Sequence, residues 1–271
     1  MAADDGTGAG SRALERGLRI LGLFSESERA LTVKTIASRL GIPVATTYRL
    51  IRTLVDLGYL EDSQGGRGEF TLGIEIVRLS AVATAGNDLQ SVSMPVMRSL
   101  ATRTGETTVL LVPGEWTAVC VGLVEGTSPI RPRSARVGEN VPYNGGATPI
   151  ALLAFLDNAF RQRVIGAGFH TYTSHTPVSA AEIERVCADV RARGYAHSES
   201  EYIEGTSATA APIFDGLGSV IASIGVTGIT ERVHDMEALV LQAAADITVR
   251  LGGRPAAISM APPPQSPALP Q

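Results

Sequence analysis

Residues 31–72 constrain the chain more than any other stretch. Apolar side chains at Ile36, Leu40, Ile42, Leu50 and Leu54 recur at helical spacing on both sides of Gly41 and Pro43. Gly41 suits the positive φ that ends a helix. Pro43 suits the opening of the next, where its missing N–H costs nothing. Thr32 is positioned to cap the first helix, predicted over residues 33–40, and Ala37 allows the two helices to approach closely. The second helix is predicted over residues 43–57, with Gly58 as its stop. Two strands, 59–62 and 69–72, are joined by a Gly-rich run at 63–68. The pattern is helix, turn, helix and β-wing, a unit whose second helix enters the DNA major groove. Its outward positions are Val44, Ala45, Thr46, Tyr48, Arg49 and Arg52. With Thr32 and the wing-tip residue Arg67 they form the candidate DNA-binding set. Arg can pair bidentately with guanine, Thr can meet a phosphate or a thymine methyl, and Tyr can donate to phosphate. Thr47 occupies a position where a compact apolar side chain is common.

A helix over residues 11–24, with Leu14, Leu18 and Leu21 spaced among Arg12, Arg16 and Arg19, precedes this unit. An apolar helix over 73–87 follows as a linker, or as a face that pairs with its own copy. Residues 88–252 mix helices and strands. Helices are predicted at 89–104, at 147–156, from the capping box Ser179–Glu182 to about Gly194, and at 234–251. Strands are predicted at 107–112, 117–125, 130–137, 195–202, 206–214 and 219–227. The fold class is α+β: an N-terminal winged helix-turn-helix over 11–72, a linker helix, and a C-terminal domain with an antiparallel sheet over 88–252. Residues 1–10 and the Pro-rich residues 253–271 are expected to be disordered.

Charge is distributed to match. The chain carries a net −4, but residues 11–80 carry a net +2. An excess that small excludes sequence-independent coating of DNA and fits a few Arg per half-site. No apolar run is long enough to span a bilayer, and residues 1–10 lack the order of a secretion signal. A cytoplasmic protein without a membrane partner is expected. Cys120 and Cys187 sit among apolar neighbours and read as core residues. His170, His175, His197 and His234 lack metal-ligand spacing. No metal, cofactor or catalytic constellation is expected, so the chain reads as a non-enzyme. The alternative is an enzyme that acts on a small organic acid through the C-terminal domain.

Several linked motifs carry a more specific resemblance. Arg12-Ala-Leu-Glu-Arg-Gly-Leu-Arg-Ile-Leu21, the block from Leu40 to Leu50, Phe70-Thr-Leu-Gly73, Thr104-Gly-Glu-Thr107, Arg136-Val-Gly138, Arg193-Gly-Tyr195 and Ala210-Ala-Pro-Ile-Phe-Asp215 resemble the IclR family of bacterial transcription regulators. The resemblance covers about residues 11–250. It implies a GAF-like or profilin-like effector-binding domain, and a homodimer or dimer of dimers on a palindromic operator in double-stranded DNA. It also implies control by a small metabolite, often an organic or aromatic acid. The effector site it implies comprises Tyr143, Asn144, Gly145, Gly146, Ala147 and Thr148 at a helix start, where backbone N–H groups suit a carboxylate. Ser198 and Glu199, Ala208, Gly225 and Thr227 complete it. Ser198, Ala208, Gly225 and the Pro149–Ile150 pair depart from the family pattern. These departures remove polar donors and predict a bulkier, more apolar effector, with Arg131 or Arg133 as other sources of charge.

Overall fold

Thr32 organises the first of two units into which the chain divides, residues 1–87 and 88–271. The computed structural model describes residues 6–25, 28–63, 68–84, 89–132 and 135–254. The first unit contains α1 (Gly6–Leu21), β1 (Leu31–Thr32), α2 (Val33–Leu40), α3 (Val44–Asp56), β2 (Leu60–Asp62), β3 (Glu69–Leu72) and α4 (Ile74–Thr84). The Thr32 hydroxyl accepts the Thr35 N–H at 3.2 Å and so caps α2. Gly41, at φ 64°, ends that helix, and the Ile42 N–H closes it onto the Ala37 carbonyl at 3.1 Å. Thr47 is fully buried, yet its hydroxyl donates to the Pro43 carbonyl at 3.1 Å, so its polarity is satisfied within α3. Ile20, Leu31, Ile36, Ile51, Leu60 and Phe70 form the core.

Two features of this unit differ from expectation. Helix α1 begins at Gly6, inside the stretch expected to be disordered. The wing has a third strand, since β1 pairs antiparallel with β3 and the sheet order is β1-β3-β2.

The second unit contains α5 (Leu89–Thr104), β4 (Thr107–Pro113), β5 (Thr117–Val124), β6 (Asn140–Pro142), α6 (Ala147–Leu153), α7 (Asn158–Gly166), α8 (Ala180–Arg193), β7 (Ala196–Glu199), β8 (Thr206–Phe214), β9 (Val220–Ile229) and α9 (Glu237–Arg250). Its six strands are all antiparallel, in the order β6-β5-β4-β9-β8-β7. The two-residue side-chain period divides them between two cores. Leu110, Ala211, Ile213, Ala222, Ile224 and Val226 meet α5 and α9. Leu111, Ala210 and the partly buried Ala208 lie on the face covered by α6 and α8. That second face carries the candidate site.

The strand expected over 130–137 is not formed at its described residues, 130–132 and 135–137. Pro132 offers no N–H to a ladder, and residues 140–142 take the place beside β5 instead. Helix α7 was not expected from sequence. The Asp157 side chain caps it by accepting the Phe160 N–H at 2.9 Å.

Candidate functional site

The solvent face of α3 holds most of the expected DNA-binding side chains. Val44, Ala45, Tyr48, Arg49 and Arg52 are exposed and Thr46 is half-buried. Arg49 has no ion-pair partner among the described residues, whereas Arg52 reaches Asp62 of β2 at 3.5 Å. Arg39, on α2, is held by a two-pronged pair with Glu28 at 2.7 and 2.8 Å, which lowers the Glu28 pKa. Thr32 is half-buried and serves as the α2 cap. Arg67 lies outside the described residues. Arg12 and Arg16 of α1 border a surface groove with Thr46 and Leu50 of α3. They place cations beside the expected DNA-binding face of α3, which their spacing among leucines in α1 did not reveal.

In the second unit a cavity of about 40 Å³ opens between the β4–β9–β8 face, the start of α6 and the loop after β7. Of the expected effector residues, Gly145, Gly146, Ala147, Thr148, Ser198, Ala208 and Thr227 line it. Gly146 adopts φ 91°, and a Cβ there would lie 3.2 Å from the Ser198 hydroxyl. That hydroxyl accepts the Ala147 N–H at 2.8 Å. Ser198 therefore caps α6 from a neighbouring strand and occupies a donor expected to receive a carboxylate. Pro149 has no N–H to add.

Four expected residues do not reach the cavity. Tyr143 is buried beneath it. Its hydroxyl donates to the Gly114 carbonyl at 2.9 Å, its ring packs edge-on against Phe160, and burial pushes its pKa up to about 12. Asn144 uses its amide N–H groups to hold the carbonyls of His170 and Pro177, at 2.9 and 3.1 Å. Glu199 is exposed because strand alternation turns it away from Ser198. Gly225 leaves no open space: a Cβ there would fall 2.2 Å from the Thr148 hydroxyl, so the glycine admits α6 against the sheet. Space vacated at position 225 is filled by Thr148, and the cavity is small.

The carboxyl group that lines the cavity is Glu201, which sequence reasoning missed. Ser200 turns the chain with φ 54° and brings it inward. Thr173 donates to the Ser200 carbonyl at 2.6 Å and Thr176 to the Glu201 carbonyl at 2.6 Å. Burial pushes the Glu201 carboxyl up to about 7. Arg131 is not in the lining and pairs with Glu125 at 2.9 Å; Arg133 lies outside the described residues. Both cysteines are buried, and burial pushes Cys187 up to about 11. Among the described residues no helix is long and apolar enough to cross a membrane, and no cluster of His, Cys, Asp or Glu could hold a metal ion.

Comparison with known proteins fits both units. The model of the IclR helix-turn-helix domain matches residues 13–63, and that of the bacterial transcriptional regulator IclR C-terminal domain matches residues 81–249. The transcriptional repressor IclR of Escherichia coli K12 is 29% identical over 250 residues, covering 89% of this chain and 90% of the relative. The HTH-type transcriptional repressor AllR of the same strain is 29% identical over 250 residues, covering 90% of this chain and 91% of the relative. Among solved structures, a regulator of this type from Silicibacter sp. TM1040 superposes with a TM-score of 0.78 at 26% identity, covering 94% of this chain and 100% of that one. An IclR homologue from Microbacterium hydrocarbonoxydans, complexed with 4-hydroxybenzoate, shares the fold with a TM-score of 0.76 at 24% identity, covering 88% and 98%. With matched domains spanning both units in the expected order, the chain belongs to the IclR family of bacterial transcriptional regulators.

Proposed function

We propose that this protein is a DNA-binding repressor acting in the cytoplasm, with α3 reading base edges in the major groove and the cavity of the second unit holding a small-molecule effector. The exposed face Val44–Ala45–Tyr48–Arg49 of α3 carries this proposal. Short side chains at its N-terminal end let the helix approach the bases, and Arg49 stands ready to pair with guanine. Arg12, Arg16 and Arg52 are suited to phosphates, which position the helix without specifying sequence.

A homodimer, or a dimer of dimers, on a palindromic operator fits the apolar surface of the first unit. Leu14 and Leu18 of α1 and Ile74, Val77 and Val82 of α4 are 59–72% exposed in a single copy. Burying such side chains contributes roughly 1.5–3 kcal/mol each relative to full exposure, and these keep more than half of that gain unused. Effector binding then acts by favouring one dimer geometry, which changes the separation of two recognition helices that must sit about 34 Å apart.

DNase footprinting of the region upstream of its own gene, with and without candidate metabolites, tests the proposal. 4-Hydroxybenzoate belongs in that panel because the Microbacterium homologue holds it. A protected, palindromic site that is lost or altered on adding one compound supports the assignment. Equal binding to scrambled DNA refutes it.

A further inference from the structure

Two sets of polar groups line the cavity without partners among the described residues, and their preferences are opposite. The hydroxyls of Thr148 and Thr227, each residue 5% exposed, make no hydrogen bond, and the N–H groups of Gly146 and Thr148 donate to nothing. Together they suit a carboxylate. The other set is the Glu201 carboxyl, the one charged side chain in the lining among the described residues. It makes no hydrogen bond or ion pair with them, while its backbone carbonyl is held by the Thr176 hydroxyl at 2.6 Å. The remaining hydroxyls of the lining are committed. Ser198 accepts the Ala147 N–H, Ser207 donates to Thr230 at 3.1 Å, and Thr206 donates to the Ile203 carbonyl at 2.7 Å. Glu201 is therefore an acceptor on a fixed mount with no donor to meet it. Leaving such a group unpaired costs free energy that a ligand donor recovers. Burial alone pushes its pKa up to about 7, as befits a carboxyl without a compensating charge.

We infer that Glu201 sets the specificity of the cavity, selecting among compact carboxylic acids those that also carry a hydroxyl or ammonium donor. The acid end is held by Thr148, Thr227 and the two free N–H groups, and the donor is given to the Glu201 carboxyl, with the carbon chain against Val109, Leu111 and Ala208. The inference rests on the assignment of the cavity as the effector site. A volume of about 40 Å³ admits roughly three water-sized groups, which limits the ligand to a few carbons. An acid without a donor leaves Glu201 unpaired and sets a second negative charge in the same space. An acid with one relieves both costs, since its donor stands between the two carboxyls. An ammonium does so more strongly than a hydroxyl, because it brings a compensating charge.

Isothermal titration of the full chain at about pH 8, where Glu201 is mostly ionised, tests this with two series: acetate, glycolate and glycine, then propionate, 3-hydroxypropionate and β-alanine. The two chain lengths vary the reach from acid end to donor. In at least one series the donor-bearing acids are expected to bind at least about tenfold more tightly than the plain acid, the scale of one charge-assisted hydrogen bond. Glu201→Gln keeps the shape and an acceptor but removes the charge, so the ammonium compound should lose its lead over the hydroxyl compound. Glu201→Met removes both acceptor oxygens at similar length and should bring all three acids of a series level. A plain acid that binds as tightly as its donor-bearing partners in both series, or a preference that survives Glu201→Met, overturns the inference. The ranking on the unsubstituted protein decides without either variant. If a plain acid leads and Ala208→Leu blocks it, Glu201 is not the selector and the effector site stands. Binding that Ala208→Leu leaves untouched overturns the site as well. Silence from all six compounds overturns the ligand class, and the footprint with and without metabolites then decides the site separately.

Discussion

Ser198→Ala isolates one bond on which the geometry of the cavity at the start of α6 depends. The hydroxyl is 2.8 Å from the Ala147 nitrogen, and Ser198 and Ala147 are 6% and 1% exposed. Removing it deletes a helix cap, worth about 1 kcal/mol, and strands a buried N–H, worth about 1–3 kcal/mol. Both figures describe the same bond and are not additive. The adjoining cavity of about 40 Å³ has room for a water to reach the exposed N–H, which pulls the loss toward the lower end. We therefore expect a loss of about 1–2 kcal/mol. Urea unfolding followed by tryptophan fluorescence is well suited, because the single tryptophan, Trp116, lies in the second unit and reports on it. The midpoint should fall with an unchanged slope. The same variant opens the Ala147 N–H to the cavity, so lactate should gain affinity relative to lactamide. An unchanged midpoint together with unchanged ligand preference would refute the role given to this hydroxyl.

Arg49→Ala should weaken operator binding and relax base preference at one position by about 1–3 kcal/mol, read by mobility shift against a set of single-base operator variants. Uniform weakening across all variants would assign Arg49 to phosphate instead. Ala208→Leu should fill the cavity and abolish the effector response while leaving operator affinity unchanged, and a retained response would move the effector site elsewhere. Leu14→Asp combined with Val77→Asp should shift sedimentation toward monomer, whereas an unchanged oligomer would remove α1 and α4 from the interface. The folded pKa of Glu201 lies above its ordinary 4.5, so the folded state holds the extra proton. Its contribution to stability is complete below about 4.5 and is lost as pH rises toward about 7. Glu201→Gln should therefore gain stability over the parent across that window, and a gap that is flat with pH in chemical denaturation would refute the burial of this carboxyl.

Local chemistry made much of the fold legible in the sequence. The bounds of α2 follow from Thr32 and Gly41, and those of α8 from Ser179 and Gly194, because caps depend on residues within one turn. What was illegible depends on distant partners. Strand β1 is two residues long and exists through its pairing with Phe70 and Glu69. Alternating arginines suggested a strand at 130–137, but the ladder position beside β5 belongs to residues 140–142. At the cavity, the Gly145–Gly146 turn and Ser198 were reached by resemblance. Period-2 alternation then separates Ser198 from Glu199, and the Ser200 turn delivers Glu201 in place of Glu199. No repeat in the sequence carries through a left-handed residue, so the inward carboxyl could be located only in three dimensions.

Strand β1 gives the winged unit a property that reaches beyond its size. Thr32 faces Glu69 across the ladder while its hydroxyl fastens the first turn of α2, so the wing and the leading helix share a residue. On the proposed DNA-bound arrangement, a tilt imposed on the wing by duplex width passes through Thr32 to α2, which packs against the base-reading α3. Sequences that never touch a side chain would then be sorted by their stiffness and shape as well as by their edges.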